Sequence, residues 1–260
     1  MNDAPRRIEI RALQGIPRIN AHDPLIELLC DAAENAALED GDVLTVTSKL
    51  FSRAQNRFVL LSDVTPSDEA LALAKKVQKE PELVELILRE STAVSRAIPG
   101  VLIVRQKLGL VCANAGIDRS NAMPTDAPAH TQGQWALLLP ENPDHDAQTL
   151  RDAIQERTGK SVGIVITDSH GRPFRHGSIG IAIGAAGFQT LDPHTGRTDL
   201  DGRVLEVTET AVADQIAAAS DLLAGQADEG TPVILFRGLR LGGEGKAQDL
   251  VRDPQRDLYA

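Results

Sequence analysis

Apolar and polar positions along the chain follow two periods, and each predicts a different element. Ile8 to Leu13 alternates with a period of two and predicts a first strand. Gly15-Ile16-Pro17-Arg18-Ile19 breaks that pattern as a loop. Asp23 before Pro24 predicts a helix start, with a capping oxygen ahead of a proline in the first turn. Leu25, Ile26, Leu28, Leu29, Ala32, Ala33 and Ala36 then form one apolar stripe at helical spacing. Gly41-Asp42 closes this region and opens the strand Val43 to Thr47, followed by a polar loop from Ser48 to Arg53. Ser67, backed by Asp68 and Glu69, predicts a helix to about Lys79, and Pro81 a second to about Arg89. Val101 to Val104 and Leu108 to Cys112 read as short strands.

Met123 to Gln134, rich in Pro, Thr, Ala and Gly, predicts a mobile loop before the apolar Trp135 to Leu139. A helix over 146–158 is closed by Gly159. Val162 to Thr167 predicts a central strand that ends in Asp168 and Ser169 and runs into turn residues, Gly171 to Arg175. Glycines 177, 180, 184 and 187 punctuate a small-residue segment, and Asp192 to Asp201 reads as turns. Val204 to Thr208 predicts a strand. Thr210 to Ala224 predicts an Ala-rich helix, opened by Glu209 and stopped by Gly225. Pro232 to Phe236 predicts a last buried strand, and the polar tail from Gly242 is expected to pack weakly. Periodicity alone gives a mixed α/β chain and leaves the topology open.

At 260 residues there is room for one large domain or two small ones. Aromatics make up only 3%, so the core must be built from Ala, Val, Ile and Leu, and no stacking platform for nucleic acid is expected. A formal net charge of -10 argues against tracking a phosphate backbone. A phosphorylated small molecule remains compatible, if a metal ion or local arginines offset its charge. Cys30 and Cys112 are expected to be buried, reduced thiols. The N-terminus lacks a charged segment followed by an apolar one, and no apolar run is long enough for a bilayer, so the cytoplasm is the expected compartment.

Asp118 and Asp168 each follow an apolar strand and have a hydrogen-bonding neighbour, Asn121 and Ser169. Hard cations such as Mg²⁺ take one or two carboxylates plus substrate phosphates, so this pair with a hydroxyl suits one or two such ions. The same aspartates serve equally as turn or capping residues. Arg172 and Arg175 suit carboxylate or phosphate, and equally solvent. Ser48 and Arg53 sit where a strand ends, as a ligand contact or a plain polar turn. Glu209 is either a first-turn helix acid or a third carboxylate. The histidines have no zinc spacing, and His170 and His176 read as solvent-facing or supporting residues. Gly245-Lys246-Ala247 is not a phosphate loop: Arg240 stands where its first glycine belongs, and Ala247 removes the metal-binding hydroxyl.

Several segments together resemble the coenzyme F420-0:L-glutamate ligases. They are Gly41-Asp42-Val43, Thr47-Ser48-Lys49, Cys112 to Asp118 with Asn121, Ile166 to Arg175, Ala182 to Gly187, Val207-Thr208-Glu209 with Ala211 to Asp214, and Arg237-Gly238. The resemblance implies an α+β fold of mixed sheets and helices in two lobes, spanning residues 1–260 as one unit, without a C-terminal flavin-binding extension, and forming an intertwined homodimer. It implies a GTP-dependent ligase that joins L-glutamate to the carboxylate of the deazaflavin precursor F420-0 through an acyl phosphate, with further γ-linked additions. By the same carry-over, Ile16, Pro17, Arg18, Ile19, Ser48, Arg53 and Asn121 would hold GTP. Asp118 and Asp168 would hold one divalent ion, Mg²⁺ or Mn²⁺, with Ser169 and Glu209 on a second, and K⁺ as a further candidate ion. Arg172 and Arg175 would grip an anionic substrate. Members usually carry Lys where Arg53 stands, Thr for Ser169, and Gln-Thr-Asp for Ser178-Ile179-Gly180. An altered acceptor, or a nucleotide-binding regulator without turnover, are the alternatives.

Overall fold

The computed structural model describes residues 7–257. In chain order the elements are β1 (Glu9–Ala12), α1 (Leu25–Asn35), β2 (Val43–Thr47), α2 (Ser48–Ala54), β3 (Phe58–Leu60), α3 (Asp68–Val77) and α4 (Pro81–Arg89). Then come β4 (Ser91–Ile98), β5 (Val101–Gln106), β6 (Val111–Ala113), β7 (Trp135–Leu137), α5 (Pro143–Thr158), β8 (Gly163–Gly171) and β9 (Ser178–Ala186). The last are β10 (Leu191–Pro193), β11 (Glu209–Ala211), α6 (Val212–Ala224) and β12 (Val233–Arg237). This is an α+β fold. No helix among the described residues is long and apolar enough to cross a membrane.

The main sheet runs β1-β12-β2-β8-β9, with β2 and β8 parallel and the other pairs antiparallel. Its inner strands are buried on both faces, which is why their sequences are continuous apolar runs. Leu44, Val46, Ile164, Ile166, Val233 and Leu235 point into one core with α1 and α5. The alternate residues Val43, Val165, Ile234 and Phe236 point into another with α6. A third core joins α3 and α4 to Leu102 and Val104 of β5, to Ala136 of β7 and to Leu138 just after it. This third core is the smaller lobe, and it carries the β4-β5-β6 sheet.

Ser67 caps α3 by accepting the Ala70 N–H, and Gly159 ends α5 in the left-handed region, both as the sequence predicts. Other expectations need correction. Asp23 does not cap α1: its carboxylate accepts the Asn20 N–H at 2.7 Å, closing a tight turn, and Pro24 takes the cap position. Helix α5 begins at Pro143, three residues earlier than predicted, because Asn142 caps it by accepting the His145 N–H. Residues 48–53 are a helix and not a loop, since Leu50 and Phe51 pack into the main core. Strand β4 over Ser91–Ile98, mostly exposed, carries no apolar run to reveal it. The strand from Leu108 shifts to Val111–Ala113. Val204 to Thr208 is no strand: Val204 makes only an isolated bridge to Thr198, and Val207 is 87% exposed. The tail from Gly242 is tied down, with the Asp144 carboxylate accepting the Ala247 and Gln248 N–H groups.

The largest correction concerns β8 and β9. Strand β8 does not stop at Thr167 but continues to Gly171, because the small-residue segment after it folds back as β9. The glycines there are spacing devices. A Cβ on Gly184 would lie 2.3 Å from the Pro143 carbonyl oxygen of α5, and one on Gly180 2.3 Å from that of Ala217 on α6. Two helices therefore press on opposite faces of β9.

Candidate active site

Register explains half of the site. Thr47 of β2 is paired with Thr167 of the parallel β8, so Ser48 and Asp168 follow that last pair side by side, Ser48 leaving the sheet and Asp168 still within β8. The carboxyl ends of parallel strands are where α/β sheets place their ligands. Ser48 opens α2, and its Oγ donates to Asp168 Oδ1 at 3.1 Å. Burial pushes the Asp168 carboxyl up to about 6. The Ser48 hydroxyl and the Ser169 N–H pull it back, the negative charge of Asp118 pushes it further up, and Lys49 opposes that push.

The other half comes from the smaller lobe. Asn114, Ala115 and Gly116 all have left-handed backbones, which turn the chain sharply after β6. Asp118 is then fixed by a reciprocal backbone bridge to Leu137 of β7, with N···O distances of 3.0 and 2.8 Å. Its Oδ1 accepts the Ser120 N–H at 2.6 Å and the Ser120 hydroxyl at 2.8 Å. Its Oδ2 lies 2.5 Å from Lys49 Nζ.

Between the lobes is a cleft of about 700 Å³. The sheet edge contributes Ser48, Asp168 and Ser169, and the smaller lobe Asp118 and Asn121. Ile16, Pro17, Arg18 and Ile19 form a further wall. Arg53 joins these pieces while only 4% exposed. Its Nε donates to Ile19 O and its Nη1 to Asn121 O at 3.0 Å, and the guanidinium lies 5.0 Å from the Phe58 ring centre. Nη2 is buried with no partner. Burial lowers the Arg53 pKa, the positive charge of Arg18 adds to that, and Asp23 opposes it. A fixed guanidinium with a free donor suits an oxygen acceptor on a ligand.

Three expected residues lie elsewhere. Glu209 does not open the helix; it starts β11, exposed and paired with Pro193, and is not part of the cleft wall. Arg172 and Arg175 sit in the turn beyond β8, also off the wall. Arg172 Nη2 donates to the His176 carbonyl at 3.2 Å, and the neighbouring Phe174 is 97% exposed. His170, expected to face solvent or give support, is half-buried with Nε2 donating to Val111 O. Both cysteines are buried as expected, and burial, with Asp168 adding to it, pushes the Cys112 thiol up to about 12.

Sequence reasoning missed Lys49 and the wall made by residues 221–232. In that wall Ser169 Oγ donates to Gln226 Oε1 at 2.8 Å, and Gln226 Nε2 donates to Asp221 Oδ2 at 3.2 Å. The only signal for this wall was Gly225, read as a helix stop. Among the described residues no three His, Cys, Asp or Glu side chains cluster closely enough to hold a metal on their own. The donor set is instead two carboxylates and a hydroxyl, which fits a hard cation that completes its shell with ligand phosphates.

A family model described as F420-0:gamma-glutamyl ligase matches residues 15–238. A coenzyme F420:L-glutamate ligase of Methanopyrus kandleri is 42% identical over 93% of this chain and 93% of its own length. The protein of the same name from Archaeoglobus fulgidus is 41% identical, covering 97% and 96%. That from Methanocaldococcus jannaschii is 40% identical, covering 85% and 86%. Ends of parallel strands, a carboxylate from each lobe and full-length similarity converge on one conclusion: the chain belongs to the F420-0:gamma-glutamyl ligase family.

Proposed function

We propose that this protein is a GTP- and divalent-metal-dependent ligase that joins L-glutamate to the carboxylate of F420-0, with further γ-linked additions. The observation that carries the reading is the meeting of Asp118 and Asp168, from different lobes, in one cleft with the unpartnered guanidinium nitrogen of Arg53. Asp118, Asp168 and Ser169 are the residues that would hold Mg²⁺ or Mn²⁺, with K⁺ as a further candidate ion. The metal would supply charge neutralisation at the triphosphate. Arg53, Ser48, Asn121 and residues 16–19 would hold the nucleotide. Arg172, Arg175 and Glu209, placed off the cleft wall, are given no role in the chemical step.

In the proposed reaction a carboxylate oxygen of the acceptor attacks the γ-phosphorus of GTP, and the bond to the GDP oxygen breaks. The glutamate amine then attacks the acyl carbon of the resulting acyl phosphate. Inorganic phosphate leaves and the amine gives up a proton. Such chemistry asks the protein for positioning and charge stabilisation more than for a covalent nucleophile. A homodimer is supported by the outer face of the β4-β5-β6 sheet, where Ile98, Val101 and Val111 are exposed.

The test is incubation with GTP, Mg²⁺ or Mn²⁺, L-glutamate and F420-0, read by mass spectrometry. The expected result is an acceptor heavier by whole glutamyl units, with one GTP consumed per unit. Asp168→Asn should abolish ligation. GTP binding without turnover would favour a regulatory protein and refute the proposal, as would full activity in Asp168→Asn.

A further inference from the structure

Lys49 and Ser48 are neighbours at the start of α2, and each grips one of the two carboxylates. Ser48 Oγ holds Asp168 at 3.1 Å, and Lys49 Nζ holds Asp118 at 2.5 Å. The ammonium also donates to the Ser120 carbonyl at 3.3 Å. The two grips differ in how easily they let go. Asp118 Oδ1 is held by the backbone and hydroxyl of Ser120, two residues away in the same turn. Oδ2 is held by an ammonium on a flexible four-carbon stem, with about a third of each partner's side chain exposed. Oδ2 is therefore the coordination point that opens when one side chain swings away.

We infer that Lys49 is a placeholder cation: its ammonium occupies the divalent-ion position on Asp118 in the free protein, and the ion displaces it on binding. The inference rests on the metal-dependent reading above and adds a residue to it. Two carboxylates that face one cleft repel each other when no cation lies between them. The lysine offsets that repulsion and ties the sheet edge to the smaller lobe. It also sets a threshold, because an entering ion must first break the Lys49–Asp118 pair. A purely structural salt bridge predicts the opposite: removing it would loosen the lobes and weaken metal binding.

The experiment uses Mn²⁺ alone with the full-length, nucleotide-free protein, and reads the free-ion signal by electron paramagnetic resonance. Lys49→Met is expected to bind Mn²⁺ about three- to tenfold more tightly than wild type, since a partly exposed ion pair no longer has to be broken. Lys49→Arg keeps the cation and should stay near wild type. Unchanged or weaker Mn²⁺ binding in Lys49→Met, with folding verified by thermal melting, overturns the placeholder role. In that case Mn²⁺ binding that is still lost in Asp118→Asn leaves the metal site standing. Binding that survives in Asp118→Asn, or is absent from both wild type and Lys49→Met, overturns both.

Discussion

Replacing Arg53 by lysine keeps the charge and removes the fork, and this structure predicts a large cost. Three different guanidinium nitrogens are in use or on offer: Nε on Ile19 O, Nη1 on Asn121 O, and Nη2 free. A lysine has one nitrogen and cannot span them. Hydrogen bonds to charged groups contribute about 1.5–3 kcal/mol each, and the contact with the Phe58 ring adds about 0.5–1 kcal/mol. Relief of the orphaned Nη2 offsets part of that loss, so the net cost is about 2–4 kcal/mol. For a chain of this size the melting temperature should fall by roughly 5–15 °C. Under the proposed function GTP affinity should fall about tenfold or more, because the free Nη2 donor is lost as well. Differential scanning fluorimetry with and without GTP, followed by calorimetric titration, separates the two effects. The resemblance leads one to expect lysine at this position, so the prediction is specific to carbonyls fitted around an arginine. A lysine variant that melts with the wild type and binds GTP equally well refutes the reasoning.

In the smaller lobe, Glu85 accepts the Ser67 N–H at 2.9 Å, the Ser67 hydroxyl at 2.6 Å and Arg89 Nε at 2.8 Å. The Ser67 side-chain and backbone hydrogen bonds, in that order, lower its pKa from 4.5 to about 2, with Arg89 contributing less. A depressed carboxylate stabilises fully above its unfolded pKa, and that stability is lost as pH falls from about 4.5 through about 2. Glu85→Gln should therefore cost about 2–3 kcal/mol at pH 7, and the gap to wild type in urea unfolding should close toward pH 2; a constant gap contradicts this. Gly180→Ala would place a Cβ 2.3 Å from the Ala217 carbonyl, a backbone atom that no rotamer change can move. It should destabilise by about 1–3 kcal/mol and shift Asp221, which accepts the Gly180 N–H, with Gln226 behind it. A variant melting within a degree of wild type would show that α6 accommodates the methyl.

Much of this molecule was legible wherever one residue's chemistry decides the local backbone. Ser67 and Gly159 ended or began helices as read, and Val43 to Thr47 is the strand its pattern predicts. The misreadings occurred where a partner decides instead. Residues 178–186 read in isolation as a glycine-punctuated run of small residues. They form a strand because β8 pairs with them and α5 and α6 need the space that the glycines leave. Ser48 to Arg53 looks polar, yet one face of that helix meets the core and the other the cleft. Glu209 looked like a helix acid because β11 is too short to leave a pattern.

The site shows the same division. Asp168 could be found from the end of an apolar strand, but its neighbour Ser48 follows from the parallel register of β2 and β8, which periodicity does not encode. Lys49, quoted within a motif, was given no site role for a further reason. A lysine after a strand is ordinarily a solvated charge, and only the approach of Asp118 from the other lobe gives it a partner. Cross-lobe contacts of this kind are made by side chains far apart in sequence, with Lys49 bonded to Ser120 and Arg53 to Asn121. Both contacts leave from one short helix, α2, and end in one turn of the smaller lobe. Any ligand that competes for Lys49 or completes Arg53 therefore acts on the joint between the lobes. Under the proposed function a metal ion and a nucleotide would then each change how tightly the cleft closes, through adjacent turns of the same helix.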